Sequence, residues 1–192
     1  MIKVIKSFVL GNGKSRLKID LHTLRKLGKI YGCNALYRDF TPDVLIATDP
    51  GISKEIQDSG YSKRHRFYTR KPQKESGAKR IELNYGFSSG PVALSYACHE
   101  EANLIYLIGF DFAGDNGLFN NVYANSPHYK KAGDKETYYG NWVTQCCTIM
   151  KQHRHKNFIR IIDENGFVPG QFTPVTNLSH IQINEFIKSI NS

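Results

Sequence analysis

The stretch Lys6–Leu17, "KSFVLGNGKSRL", runs an apolar segment into two glycines and then into a basic segment of helical composition. A strand followed by a glycine turn and a helix is the first half of a βα unit, and such turns present backbone N–H groups to anions. Three glycine-loop readings compete for it. Gly13-Lys14-Ser15 matches the last three positions of a Walker A loop, but that motif needs a glycine five residues before Gly13, where Phe8 stands. The dinucleotide fingerprint G-x-G-x-x-G fails at its third glycine, which is Arg16, and no acid stands at a clear second-strand end about 20 residues on. What remains is Gly11-Asn12-Gly13 between a strand and a helix start at or after Ser15. It is either an anion cradle to which Asn12 adds an amide, or a tight turn that needs its glycines for backbone conformation alone.

Working outward, short apolar runs alternate with helical segments: "SRLKIDLHTLRKLG", "KIYGCN", "DVLIAT" and "GISKEIQDSG". Near-continuous apolar strands separated by helices belong to sheets covered on both faces. "SSGPVALSYACHEEA" offers Ser89 as a helix N-cap with Pro91 in the first turn, and "NLIYLIGFDF" is the most apolar strand. Residues 113–136 form a long polar loop, and a helix is expected from Thr137 to about His153. "NFIRII" is a late strand and "IQINEFIKSI" a closing amphipathic helix. The expected fold is one α/β domain over residues 1–192, Rossmann-like, with a mostly parallel central sheet and helices on both faces. Ligands in such folds sit beyond the C-terminal strand ends.

The formal charge of +9 is concentrated in residues 63–80, where eight Lys and Arg side chains face one glutamate, Glu75. With Phe67 and Tyr68 among them, this composition suits phosphate contacts with stacking, for a nucleic acid or an acidic acceptor; the alternative is a solvated surface loop. No helix-turn-helix, zinc-finger or RNP motif accompanies it. Residues 113–140 carry Tyr123, Tyr129, Tyr138 and Tyr139 just before Trp142, a composition expected of a lid over a base or sugar. Cys33, Cys98, Cys146 and Cys147 lack metal-site spacing, and reduced, buried thiols are expected. "MIKVIKSFVL" reads as a first strand rather than a signal peptide, and no apolar run is long enough to span a membrane. A cytoplasmic protein is expected, and the compact basic chain would suit a phage product in its host's cytoplasm.

"LGNGKSRLKIDLHTL", "YGCNALY", "IATDP", "FSSGPVALSYACHEEANLIYLIGFDF", "VYAN" and "YYGN" occur in an order that resembles the bacterial sialyltransferases of the Campylobacter type over residues 4–145. More distantly they resemble the pterin pyrophosphokinase-like proteins. The sialyltransferase resemblance implies a CMP-type nucleotide-sugar as substrate, no tightly bound cofactor and no metal. It places the nucleotide on Gly11, Asn12, Gly13, Asn34, Ser88, Ser89 and Gly90, with Tyr123 holding the donor phosphate. The pyrophosphokinase side implies diphosphate transfer from ATP with magnesium, for which no clustered acids are evident.

The departures are chemical. The family's general-base histidine is Asn141 here, and an amide takes no proton at neutral pH. A second phosphate-clamp tyrosine is Ala113. Asp49 stands where the family has asparagine beside the sugar, so its charge would repel the carboxylate of sialic acid, and a different sugar is expected. Replacement bases by residue type are His128, His153, Asp49 and Asp111. A nucleotide- or nucleic-acid-binding module that has lost its base is the non-enzyme alternative.

Overall fold

The computed structural model describes residues 3–191, so the Met1–Ile2 end of the expected first strand lies outside the described residues. One sheet of eight parallel strands runs through them. In chain order the elements are β1 (Lys6–Leu10), α1 (Leu21–Leu24), β2 (Gly28–Cys33), β3 (Val44–Ala47), α2 (Pro50–Asp58), α3 (Tyr61–Arg64), β4 (Phe67–Thr69) and β5 (Lys79–Arg80). There follow α4 (Ser89–Cys98), β6 (Leu104–Ile108), α5 (Gly140–Gln152), β7 (Asn157–Ile162), β8 (Leu178–Gln182) and α6 (Ile183–Asn191). Three short 3-10 turns cover Lys14–Lys18, Asn34–Arg38 and Gly170–Phe172.

The strand order is β5-β4-β3-β2-β1-β6-β7-β8. The chain winds outward from β1 in one direction, then returns to lay β6 on the other side of β1 and winds the opposite way. The switch point therefore lies between β1 and β6, where a doubly wound sheet opens a crevice. Alternate strand residues feed two cores, as period two requires. Val9, Ile46 and Leu107 meet α4 and α5 on one face. Phe8, Leu45 and Ile108 meet α2 and α6 on the other. Helices thus cover both faces, as the apolar strands implied. No helix among the described residues is long and apolar enough to cross a membrane, and all four cysteines are buried and free.

Several sequence expectations are corrected. The segment after the glycine loop is not one helix. Asp20 accepts a hydrogen bond from the His22 N–H (2.9 Å) and caps a fresh turn, so the connection is a 3-10 turn followed by the single turn α1. The closing segment begins as strand β8 and only then becomes α6. α4 is capped by Ser88 rather than Ser89, and α5 starts at Gly140 rather than Thr137. The basic segment is no loose loop: it supplies the end of α3, all of β4 and the edge strand β5.

Candidate functional site

At the switch point β1 and β6 leave the sheet pressed together. A Cβ on Gly11 would stand 2.4 Å from the Gly109 carbonyl oxygen, so only glycine lets the backbones approach this closely. Beyond them opens a cleft, at the place where doubly wound sheets bind their ligands. Its wall is drawn from both strand-to-helix junctions: Gly11, Asn12 and Gly13 from one, Ser88, Ser89 and Gly90 from the other. Asn34, Asp49 and Asp111 complete its polar side, and Phe110, Phe119, Tyr139 and Trp142 its aromatic side. Nine of the expected site residues thus share one cleft.

Their roles differ from those the sequence suggests. The N–H groups of Gly11, Gly13, Lys14 and Ser15 are not free for an anion. Gly11 N bonds the Ile108 carbonyl (2.8 Å), Gly13 N the Gly109 carbonyl (2.9 Å), Lys14 N the Asn120 side-chain oxygen (2.9 Å) and Ser15 N the Asp111 carboxylate (3.2 Å). The Asp111 carboxyl occupies the space a Gly13 Cβ would need, so the niche where an anion would rest is filled from within. The Ser15 hydroxyl and Asn120 also donate to Asp111, which is therefore a brace of this loop. Asn12 is committed as well: its side-chain N–H donates to the Cys33 carbonyl (3.3 Å) and its oxygen accepts from Arg16 (2.8 Å).

Arg16, buried at 3% exposure, was not anticipated as a site element. It stands where the dinucleotide fingerprint has its third glycine, and its guanidinium holds the Gly11 carbonyl (3.0 Å) and the Tyr123 hydroxyl (3.0 Å). Tyr123 is accordingly a core residue on the α2/α6 side and does not line the cleft. Burial first, then Asp39, hold its phenol well above the ordinary value against the opposing pull of Arg16.

The second junction is different. α4 is buried along nearly its whole length, and the N–H groups of Ser89 and Gly90 at its start have no partner among the described residues. The Ser89 hydroxyl is fixed by Thr48, whose N–H lies 2.9 Å away. Here a ten-residue helix aims its positive end and two free donors at the cleft. Across from it Asn34 holds a left-handed conformation at φ 54°, and its side-chain oxygen is buried with no hydrogen-bond partner. A buried amide oxygen left unsatisfied costs about 1–3 kcal/mol, which a ligand donor would recover. The Tyr139 hydroxyl is likewise buried without a well-formed hydrogen bond.

Asp49 caps α2 through its backbone, but its carboxylate makes no hydrogen bond and lies exposed at the cleft mouth. It is the one lining carboxylate not already committed. Among the described residues the lining contains no Lys, Arg or His. His128 lies outside, at φ 70° on the flank of α2, 3.3 Å from Glu55. Asn141 is exposed on α5 and also does not line the cleft.

Residues 113–140 form a fastened wall. Val122 N bonds the Asn12 carbonyl (2.8 Å), Gly114 N the Glu136 carboxylate (2.6 Å) and Ala35 N the Tyr129 hydroxyl (3.2 Å). Arg38 donates to the Ser126 hydroxyl (2.8 Å) and to both carboxylate oxygens of Glu55 (2.7 Å each). Burial opposes ionisation of Glu55, but hydrogen bonds from Tyr37 and Arg38 outweigh it and hold the carboxyl below the ordinary glutamate value. Its contribution to stability is therefore present above pH 4.5 and lost as pH falls through the lowered value. Glu55→Gln should cost about 1–2 kcal/mol at neutral pH. Urea unfolding at neutral pH and near pH 3 should show that difference shrinking.

Comparison with family models, curated proteins and solved structures gives no match for this chain, so the assignment of its cleft rests on geometry and chemistry.

Proposed function

We propose that the chain transfers a sugar other than sialic acid from a pyrimidine nucleotide donor of the CMP type, bound in the switch-point cleft. The observation that carries this reading is the pairing of a buried, unsatisfied amide oxygen at Asn34 with the free N–H groups of Ser89 and Gly90. The amide suits the exocyclic amine of cytosine or a ribose hydroxyl, and the helix start suits one phosphate. Trp142, Tyr139 and Phe119 supply ring faces for base or sugar. Charge favours a single phosphodiester over a triphosphate: two carboxylates and no cationic side chain line the cleft, so a polyanion is repelled where a monoanion is held by helix dipole and backbone. The same argument counts against diphosphate transfer from ATP.

In this reading the acceptor oxygen bonds the sugar carbon as the bond to the phosphate oxygen breaks. The electron pair goes to the phosphate, where the Ser89 and Gly90 N–H groups stabilise the added charge. The acceptor proton passes to Asp49, the uncommitted carboxylate at the mouth. A binding module without catalysis is the second reading, favoured by the exposed, off-cleft position of Asn141.

The test is thermal unfolding with a panel of CMP, CDP, CTP and ATP. At about a hundredfold excess over Kd a ligand adds about 2.7 kcal/mol, or roughly 5–10 °C for a chain of this size. CMP should give the largest shift and CTP and ATP the smallest. A larger shift with ATP than with CMP would overturn the assignment.

A further inference from the structure

The cleft leaves the strongest charge feature of the chain without a role. Seven of the eight cations in residues 63–80 are exposed. Lys63, Arg64, Lys71, Lys74 and Lys79 have no acidic partner among the described residues, and Arg66 pairs with Glu100 at 3.1 Å. The fold gathers this charge at one end of the sheet. Tyr68 and Thr69 of β4 pair with Lys79 and Arg80 of β5, the terminal strand. Gly77 packs with its missing Cβ 3.0 Å from the Lys63 Cα, which brings the end of α3 to the same edge.

Charged residues on an edge strand discourage strand addition, and Lys79 and Arg80 suffice for that. They do not account for the remaining cations or for Tyr85. That ring is 41% exposed, with the Arg80 guanidinium 5.5 Å and the Arg70 guanidinium 5.8 Å from its centre. Arg70 is itself anchored by the Tyr85 carbonyl (2.9 Å) and the Phe87 carbonyl (2.9 Å), so the ring and its cations are held together.

We infer that this edge binds single-stranded nucleic acid, with phosphates along the Lys and Arg side chains and a base stacked on Tyr85. Unpaired cations supply the electrostatic contact, and a held aromatic ring flanked by guanidiniums is a platform for an unstacked base. A duplex keeps its bases stacked and an acidic peptide has none, so neither would use the ring. The inference uses no cleft residue and stands independently of the transferase reading.

Fluorescence anisotropy with labelled dT and rU oligomers of about 20 nucleotides, over roughly 50–300 mM NaCl, tests it. Four to five phosphate contacts give a slope of about −3 in log affinity against log salt. Tyr85→Ala should weaken the oligomers about tenfold and leave heparin binding unchanged. Lys63→Glu, Lys71→Glu, Lys74→Glu and Lys79→Glu combined should weaken binding by at least about tenfold and flatten the slope. The combined variant should keep the wild-type melting temperature, which checks its fold; if it does not fold, the wild-type salt series and Tyr85→Ala decide. Absence of binding at low salt, unchanged affinity in the combined variant, or heparin and duplex bound as tightly as dT with no effect of Tyr85→Ala would overturn the inference.

Discussion

Replacing Asn34 by glycine is expected to make the unliganded protein more stable and to weaken CMP by at least about tenfold. The two effects have opposite signs because the residue is badly placed for folding and well placed for a ligand. At φ 54° an asparagine is tolerated but strained, whereas glycine adopts this conformation freely. The buried amide oxygen without a partner is a second cost, about 1–3 kcal/mol, that the substitution removes. Against these stands the greater freedom of glycine in the unfolded chain, about 0.5–1 kcal/mol. The balance favours the variant by about 1 kcal/mol, and a gain of that size raises the melting temperature by roughly 2–4 °C. Calorimetric titration with CMP and thermal unfolding without it measure both halves on one sample. A fall in melting temperature with CMP affinity intact would make Asn34 a structural residue and remove the main support for the nucleotide cleft.

The same cleft shows how far the sequence was legible. Alternating apolar runs and Gly11-Asn12-Gly13 placed a strand-to-helix junction at the first switch-point strand, and Ser88-Ser89-Gly90 placed the start of α4. These are local signals, carried by residues a few positions apart. What fills each junction is not local. Asp111 reaches Ser15 across 96 positions, and Tyr123 reaches Arg16 across 107. No periodicity reports such pairings, so the glycine loop looked like an open anion site and Tyr123 like a phosphate ligand. One signal did bear on it: Arg16 in place of a third glycine puts a large side chain where close helix packing would be needed. That residue occupies the gap, with its Cβ 3.1 Å from where a Gly109 Cβ would be. Strands β4 and β5, three and two residues long, were hidden for another reason. The edge strand β5 is two charged residues with no apolar alternation, and β4, Phe67-Tyr68-Thr69, is internal but too short to show a period amid the surrounding charge.

Arg160 yields the largest expected change in stability. Its side chain is 1% exposed, and among the described residues no carboxylate forms an ion pair with it. The Nε–H donates to the Phe110 carbonyl at 2.7 Å and an Nη2–H to the Asp111 carbonyl at 2.9 Å, while the guanidinium packs on the rings of Phe112 and Phe172. Burial pushes its pKa down to about 10, so the positive charge is a penalty here and the contribution is geometric. One planar fork pins two successive carbonyls of the segment that leaves β6 and walls the cleft. Arg160→Met keeps the packing but leaves both carbonyls unsatisfied, at a net cost of roughly 3 kcal/mol once relief of the buried charge is allowed for. A loss of that size lowers the melting temperature by about 6–12 °C. Arg160→Lys separates the two explanations, since a compact ammonium keeps the charge but cannot span both carbonyls. If geometry governs, lysine is nearly as destabilising as methionine and both weaken CMP, because Phe110 and Asp111 move together. If lysine restores wild-type stability, or methionine leaves it unchanged, the carbonyl clamp is not what holds the cleft wall in place.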